Sequence, residues 1–191
     1  MRKRLIGVLL STILYALPAN AWFFQPSPGT VSQETLSRFQ EAAVNTLEGL
    51  TLIHDMLRQI EQGETSVNSV EAASVAIEKL VLAASQFRDL QTEDLQALIV
   101  SIEAVEQIDE GAIQLVRNAK IENAADLSRY SADQSLVIAN LVASLLESDF
   151  GPVSAANSES RATVNRLVSS ISNMMIVVNS VSGALALASQ Q

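Results

Sequence analysis

Apolar residues recur at intervals of three, four and seven along most of the chain, the spacing that gathers side chains on one face of an α-helix. In the first such stretch Leu36, Phe39, Ala43, Leu50, Ile53, Leu57 and Ile60 share one side, while Glu34, Glu41, Glu48 and Asp55 keep a seven-residue register on the other. Thr30 with Gln33 reads as the capping box of this helix and Gly63 as its end. A second capping pair, Asn68 with Glu71, opens a stretch through Val70, Ala73, Ile77, Leu80, Ala84 and Phe87. The short link between the two predicts antiparallel packing.

Thr92 can cap a third helix that turns Leu95, Leu98, Ile102, Val105 and Ala112 inward. Asp109 falls where an apolar residue is due and Gly111 weakens the helix beside it, so a kink or break is expected near Gly111. Asn123 and Asp126 start a fourth helix with Leu127, Tyr130, Val137, Leu141 and Leu145 inward, closed by the turn Phe150-Gly151-Pro152. From about Val153 a last helix carries Val164, Leu167, Ile171, Met174, Val178, Val181, Leu185 and Ala188, a three-four alternation over more than three heptads. No segment alternates with period two. The expected fold is all-α: an antiparallel bundle of four to five long amphipathic helices with coiled-coil-like packing, forming a single domain over residues 30–191.

The N-terminus adds an address. Arg2, Lys3 and Arg4 precede an apolar run from Leu5 to Leu17, and Ala19-Asn20-Ala21 fits the small-x-small rule for signal peptidase. Residues 1–21 are therefore expected to be a cleaved secretory signal, with an uncleaved anchor from Leu5 to Phe24 as the alternative. Removal takes three of the 12 basic residues and none of the 21 acidic ones, leaving nine against 21 and a formal charge of −12. Such a surface repels nucleic acid and anionic lipid, so no nucleic-acid partner is expected. The absence of cysteine removes disulfides, thiolate metal sites and cysteine lipidation. Together these features place the expected mature protein in the periplasm or outside a bacterial cell.

Catalytic chemistry finds few footholds. His54 is the only histidine, so a triad, a histidine metal cage or a di-iron carboxylate site would have to be built on one imidazole. Glu103, Glu106 and Glu110 share a helical face and could hold a divalent cation or act as an acid/base pair, but three carboxylates at that spacing also describe an ordinary solvated face. No nucleophile elbow, phosphate loop, haem motif or calcium loop occurs. The expectation is a protein without catalytic residues, cofactor or metal.

Two segments stand out as candidate interaction surfaces. Between Leu167 and Gln191 there is no charged residue, and Ser180, Ala184 and Ala188 form a small-residue ridge along which another helix could approach closely. This helix is suited to the core, to self-assembly or a partner, or to membrane insertion. Residues 22–29 form a short arm that opens with Trp22, Phe23 and Phe24, aromatics able to dock on a neighbour or a membrane interface, or to fold back on the end of the helices. In its order, a leader followed by long helices, the chain resembles the exported helical minor pilins of type IV secretion systems, which implies a role as an assembly subunit. The first expectation is thus an envelope or secreted protein acting through helix-helix contacts with a protein partner or a second copy. A membrane-active protein inserting its last helix is an alternative, as is a carrier of an apolar ligand lined by Met56, Met174 and Met175.

Overall fold

The computed structural model describes residues 32–61, 67–90, 92–147 and 158–188. Among them the chain is all-α, with seven helices and no strand beyond one isolated antiparallel bridge between Ile99 and Asn123. Four helices are long: α1 (Gln33–Glu61), α2 (Val67–Arg88), α6 (Ala124–Glu147) and α7 (Ser158–Ala188). Three are short: α3 (Thr92–Gln96), α4 (Ile102–Ile108) and α5 (Ala112–Asn118). One continuous apolar core draws side chains from all seven.

The cap of α1 is Ser32, whose Oγ accepts a hydrogen bond from the Thr35 N–H at 3.0 Å; the expected cap Thr30 and end Gly63 lie outside the described residues. Every described residue of its predicted stripe, from Leu36 to Leu57, is buried, and Ala42, Thr46 and Met56 widen that stripe. Thr46 tolerates burial because its hydroxyl donates to the Ala42 carbonyl at 2.9 Å. Cross-helix pairs fix the direction of α2: Phe39 meets Phe87, Asn45 donates to Gln86 at 2.9 Å, and Glu48 accepts from Lys79 at 2.6 Å. Numbers rise on one helix as they fall on the other, so α1 and α2 are antiparallel.

The third expected long helix is instead α3, α4 and α5. A break does occur at Gly111, and a second lies earlier, at residues 97–101. There the Leu98 carbonyl accepts from the Ala124 N–H at 2.9 Å, and the Val100 N–H donates to the Glu122 carbonyl at 2.8 Å. Backbone groups that a continuous helix would pair internally are satisfied across this loop, which removes the incentive to continue. Ser101 then caps α4 through the Ala104 N–H at 3.3 Å. Asp109, the polar residue at an apolar position, ends α4, and its Oδ1 accepts from the Gly111 N–H at 2.8 Å.

At the end of α5 the Ile121 N–H reaches the Val116 carbonyl and the Lys120 N–H reaches that of Arg117, the Schellman pattern. Lys120 takes the left-handed position at φ 55°, where glycine is usual, and the buried Ile121 anchors the turn. The chain is thereby returned to the α3 end, where Asn123 caps α6 through the Asp126 N–H at 3.0 Å, as the sequence pattern predicts. One inward assignment on α6 is corrected: Val137 is 48 % exposed and its neighbour Ile138 takes the buried position. A turn of 100° per residue puts the two on adjoining faces, and spacing alone does not choose between them.

Two helical glycines respond differently to a methyl group. At Gly49 a Cβ would sit 3.0 Å from Leu80 Cγ and 3.2 Å from the Ala76 carbonyl oxygen, so α1 and α2 touch there almost backbone to backbone. At Gly183 it would meet only the Cδ1 tip of Ile108, at 2.7 Å, which can rotate away. Both substitutions gain about 1 kcal/mol of helix propensity, but overpacking at Gly49 costs about 1–3 kcal/mol. Gly49→Ala is expected to lower the denaturation midpoint, while Gly183→Ala leaves it unchanged or raises it; a gain in stability from Gly49→Ala would contradict the close α1–α2 approach.

Candidate functional site

The small-residue ridge turns inward. Ser180 and Ala184 are each 1 % exposed, and α7 packs against α1, α4, α5 and α6. The close approach that small side chains permit is used within this chain. Its outward positions are polar, with Asn165, Arg166, Ser169 and Asn173 exposed. Val164–Leu185 is nonetheless long and apolar enough to cross a membrane, at a mean hydropathy of 1.3, with 56 % buried inside the protein. The Ala188 side chain and Trp22, Phe23 and Phe24 lie outside the described residues.

The candidate chemical groups remain dispersed. Glu103, Glu106 and Glu110 are all exposed, and no cluster of three or more potential metal-ligating side chains occurs among the described residues. His54 is half-buried on α1, its Nδ1 3.7 Å from the carboxylate of its neighbour Asp55. Met56, Met174 and Met175 are buried in the core. Burial of Tyr130 raises its phenol pKa above the ordinary value, so ionisation of that ring in strong alkali works against the folded state.

Of the buried serines, the sequence pattern marks only Ser180, as part of the small-residue ridge. The hydroxyls of Ser131 and Ser135 on α6, and of Ser180 and Ser182 on α7, have no hydrogen-bond partner among the described residues, whereas the buried Ser128 hydroxyl donates to the Ala124 carbonyl at 2.9 Å. An unpaired buried hydroxyl costs about 1–3 kcal/mol. The same residues are small enough to let helices approach, which is the packing role their size supports.

One cleft is built by the described residues at the end where α2 arrives and α6 departs. It encloses about 150 Å³. Phe87 from the end of α2, Leu90 just beyond it, Leu95 from α3, and Ala125, Ser128 and Ala132 from α6 line it, with Arg88, Arg129 and Asp133 as its charged members. Arg88 lies 3.5 Å from Asp133, and Arg129 lies 3.5 Å from Asp126; both guanidinium groups are more than half exposed. The lining is therefore mixed, polar and apolar in about equal measure, and its cations are held by exposed neighbours rather than buried in pairs. None of the three candidate carrier methionines lines it. In the sequence Arg88 and Arg129 are 41 positions apart and only the α2–α6 packing unites them, although two of only 12 basic residues at one cleft mark it in retrospect.

Comparison with protein-family models, with curated proteins and with solved structures yields no match.

Proposed function

We propose that this chain is an exported, non-enzymatic protein that works through helix-helix contacts, as a structural or accessory subunit of a cell-envelope or secreted assembly. The observation that carries this reading is the outer face of α2. Its inner face, with Ala73, Ala76, Leu80, Ala84 and Phe87, is fully buried, yet Val75, Val81 and Leu82 on the other side remain 41, 46 and 50 % exposed. Val75 and Leu82 are seven residues apart, so they stack on one face, and their spacing is that of the anchors by which a partner helix seats in a groove. Branched aliphatic groups left in water at helical spacing are the kind of surface that a protein contact covers. An arrangement of the four long helices as an antiparallel, coiled-coil-like bundle would present this face along its length.

Chemical crosslinking in the native host tests the reading. Val75→Lys with Leu82→Lys is expected to reduce the crosslinked complex at least tenfold while leaving the helical circular dichroism intact. An undiminished complex would remove α2 as the contact face, and complexes containing only this chain would identify the partner as a second copy.

A second reading, membrane insertion of α7, has one observation in its favour, the span Val164–Leu185. Dye leakage from liposomes decides it: the contact reading expects none, with or without this segment.

A further inference from the structure

We propose that the cleft between the end of α2 and the start of α6 is the docking site for the aromatic arm of the same chain, with the Trp22 ring as its occupant. The path of the chain is the first argument. The α1 cap, Ser32, is hydrogen-bonded at 2.8 Å to Thr35, whose Oγ1 lies 3.5 Å from the Asp94 carboxylate, and the next residue, Leu95, lines the cleft. One turn further on, Phe39 packs edge-on against Phe87, another lining residue, with ring centroids 5.8 Å apart. The described chain therefore begins beside the cleft. Trp22 is ten residues upstream, a span of up to about 33 Å, and a site that is next to that point lies well within it.

Size and chemistry are the second argument. A half-open cleft of about 150 Å³ has room for one six-membered ring, with the rest of the indole at its mouth. Only small parts of Phe87, Leu90 and Leu95 reach the cleft, so most of the contact falls to Arg88 and Arg129, which are more than half exposed and can lie over a ring face, an arrangement strongest with an indole. Pro26 and Pro28, between Trp22 and Ser32, restrict the free chain and so lower the entropy lost when the arm docks. An arm seated in this way covers the end of the helices and leaves the outer face of α2 open, so the site stands or falls apart from the partner contact proposed above.

The test exploits a chain with no cysteine and a single tryptophan. In the exported protein, Phe24→Cys is paired with Asp133→Cys, at the exposed edge of the cleft, or with Glu71→Cys, an exposed control at the opposite end of α2. Under mild oxidation the cleft pair is expected to form an intrachain disulfide at least tenfold faster than the control. In the cysteine-free protein, acrylamide quenching of Trp22 is expected to be several-fold weaker than for free tryptophan, and Arg88→Ala with Arg129→Ala is expected to strengthen it without change in helical content. Equal disulfide rates, or a Trp22 quenched as freely as the amino acid, would overturn the proposal. Disulfides formed only between chains would overturn it too, in favour of a second copy as the donor of the arm.

Discussion

Phe39→Ala is expected to destabilise the protein by about 3–5 kcal/mol, the range for truncating a fully buried aromatic residue. Phe39 is 1 % exposed and meets Phe87 at 5.8 Å with an interplanar angle of 71°, the edge-to-face geometry that adds to simple burial. The neighbours of the lost ring cannot close the gap cheaply, because α1 and α2 are already in close contact at Gly49 and Leu80. Against a total stability of about 5–15 kcal/mol, the loss is a large fraction, and urea denaturation followed by circular dichroism would read it as a lower midpoint. A loss below about 1 kcal/mol would mean that the ring does not occupy a packed interior. Because Phe87 also lines the cleft, the same variant is expected to loosen that site.

The second large effect concerns α7. Val178→Asp places a carboxylate where the native side chain is 0 % exposed, within the apolar core. An uncompensated buried charge costs more than about 4 kcal/mol, enough to abolish folding at ordinary temperature. Asn173→Asp, on the exposed side of the same helix, is expected to change stability by less than about 0.5 kcal/mol. The contrast separates the interior role of α7 from the alternatives. Were its apolar side held by a membrane or a partner, the isolated chain would keep its stability with either substitution, and denaturation midpoints for the two variants would coincide.

The long helices were legible because each repeats one decision many times. The stripe from Leu36 to Leu57 and the seam from Val164 to Leu185 hold their register over so many turns that single exceptions do not blur them. The segment from Thr92 to Asn123 is less legible, since its structure depends on backbone pairing with residues over twenty positions away, at Leu98–Ala124 and Val100–Glu122, which periodicity does not encode. Asp109 carried the correct local signal, a polar residue where the helix ends. Lys120 carried none, because a lysine in the left-handed region looks like any other lysine in the sequence. The ridge through Ser180 and Ala184 shows the limit for surfaces: small residues announce close approach by another helix but do not say whose helix it is. The cleft was invisible for a related reason, because its lining is shared among three helices that meet only after folding.

The central claim is that the apolar side of α7 lies in the chain's own interior, together with those of α1, α2 and α6. Hydrogen exchange measured by mass spectrometry on the isolated protein in water, without detergent or partner, tests this most directly. Peptides spanning Val164–Leu185 are predicted to exchange as slowly as those spanning Leu36–Leu57. Rapid exchange throughout α7 while α1, α2 and α6 stay protected would contradict it.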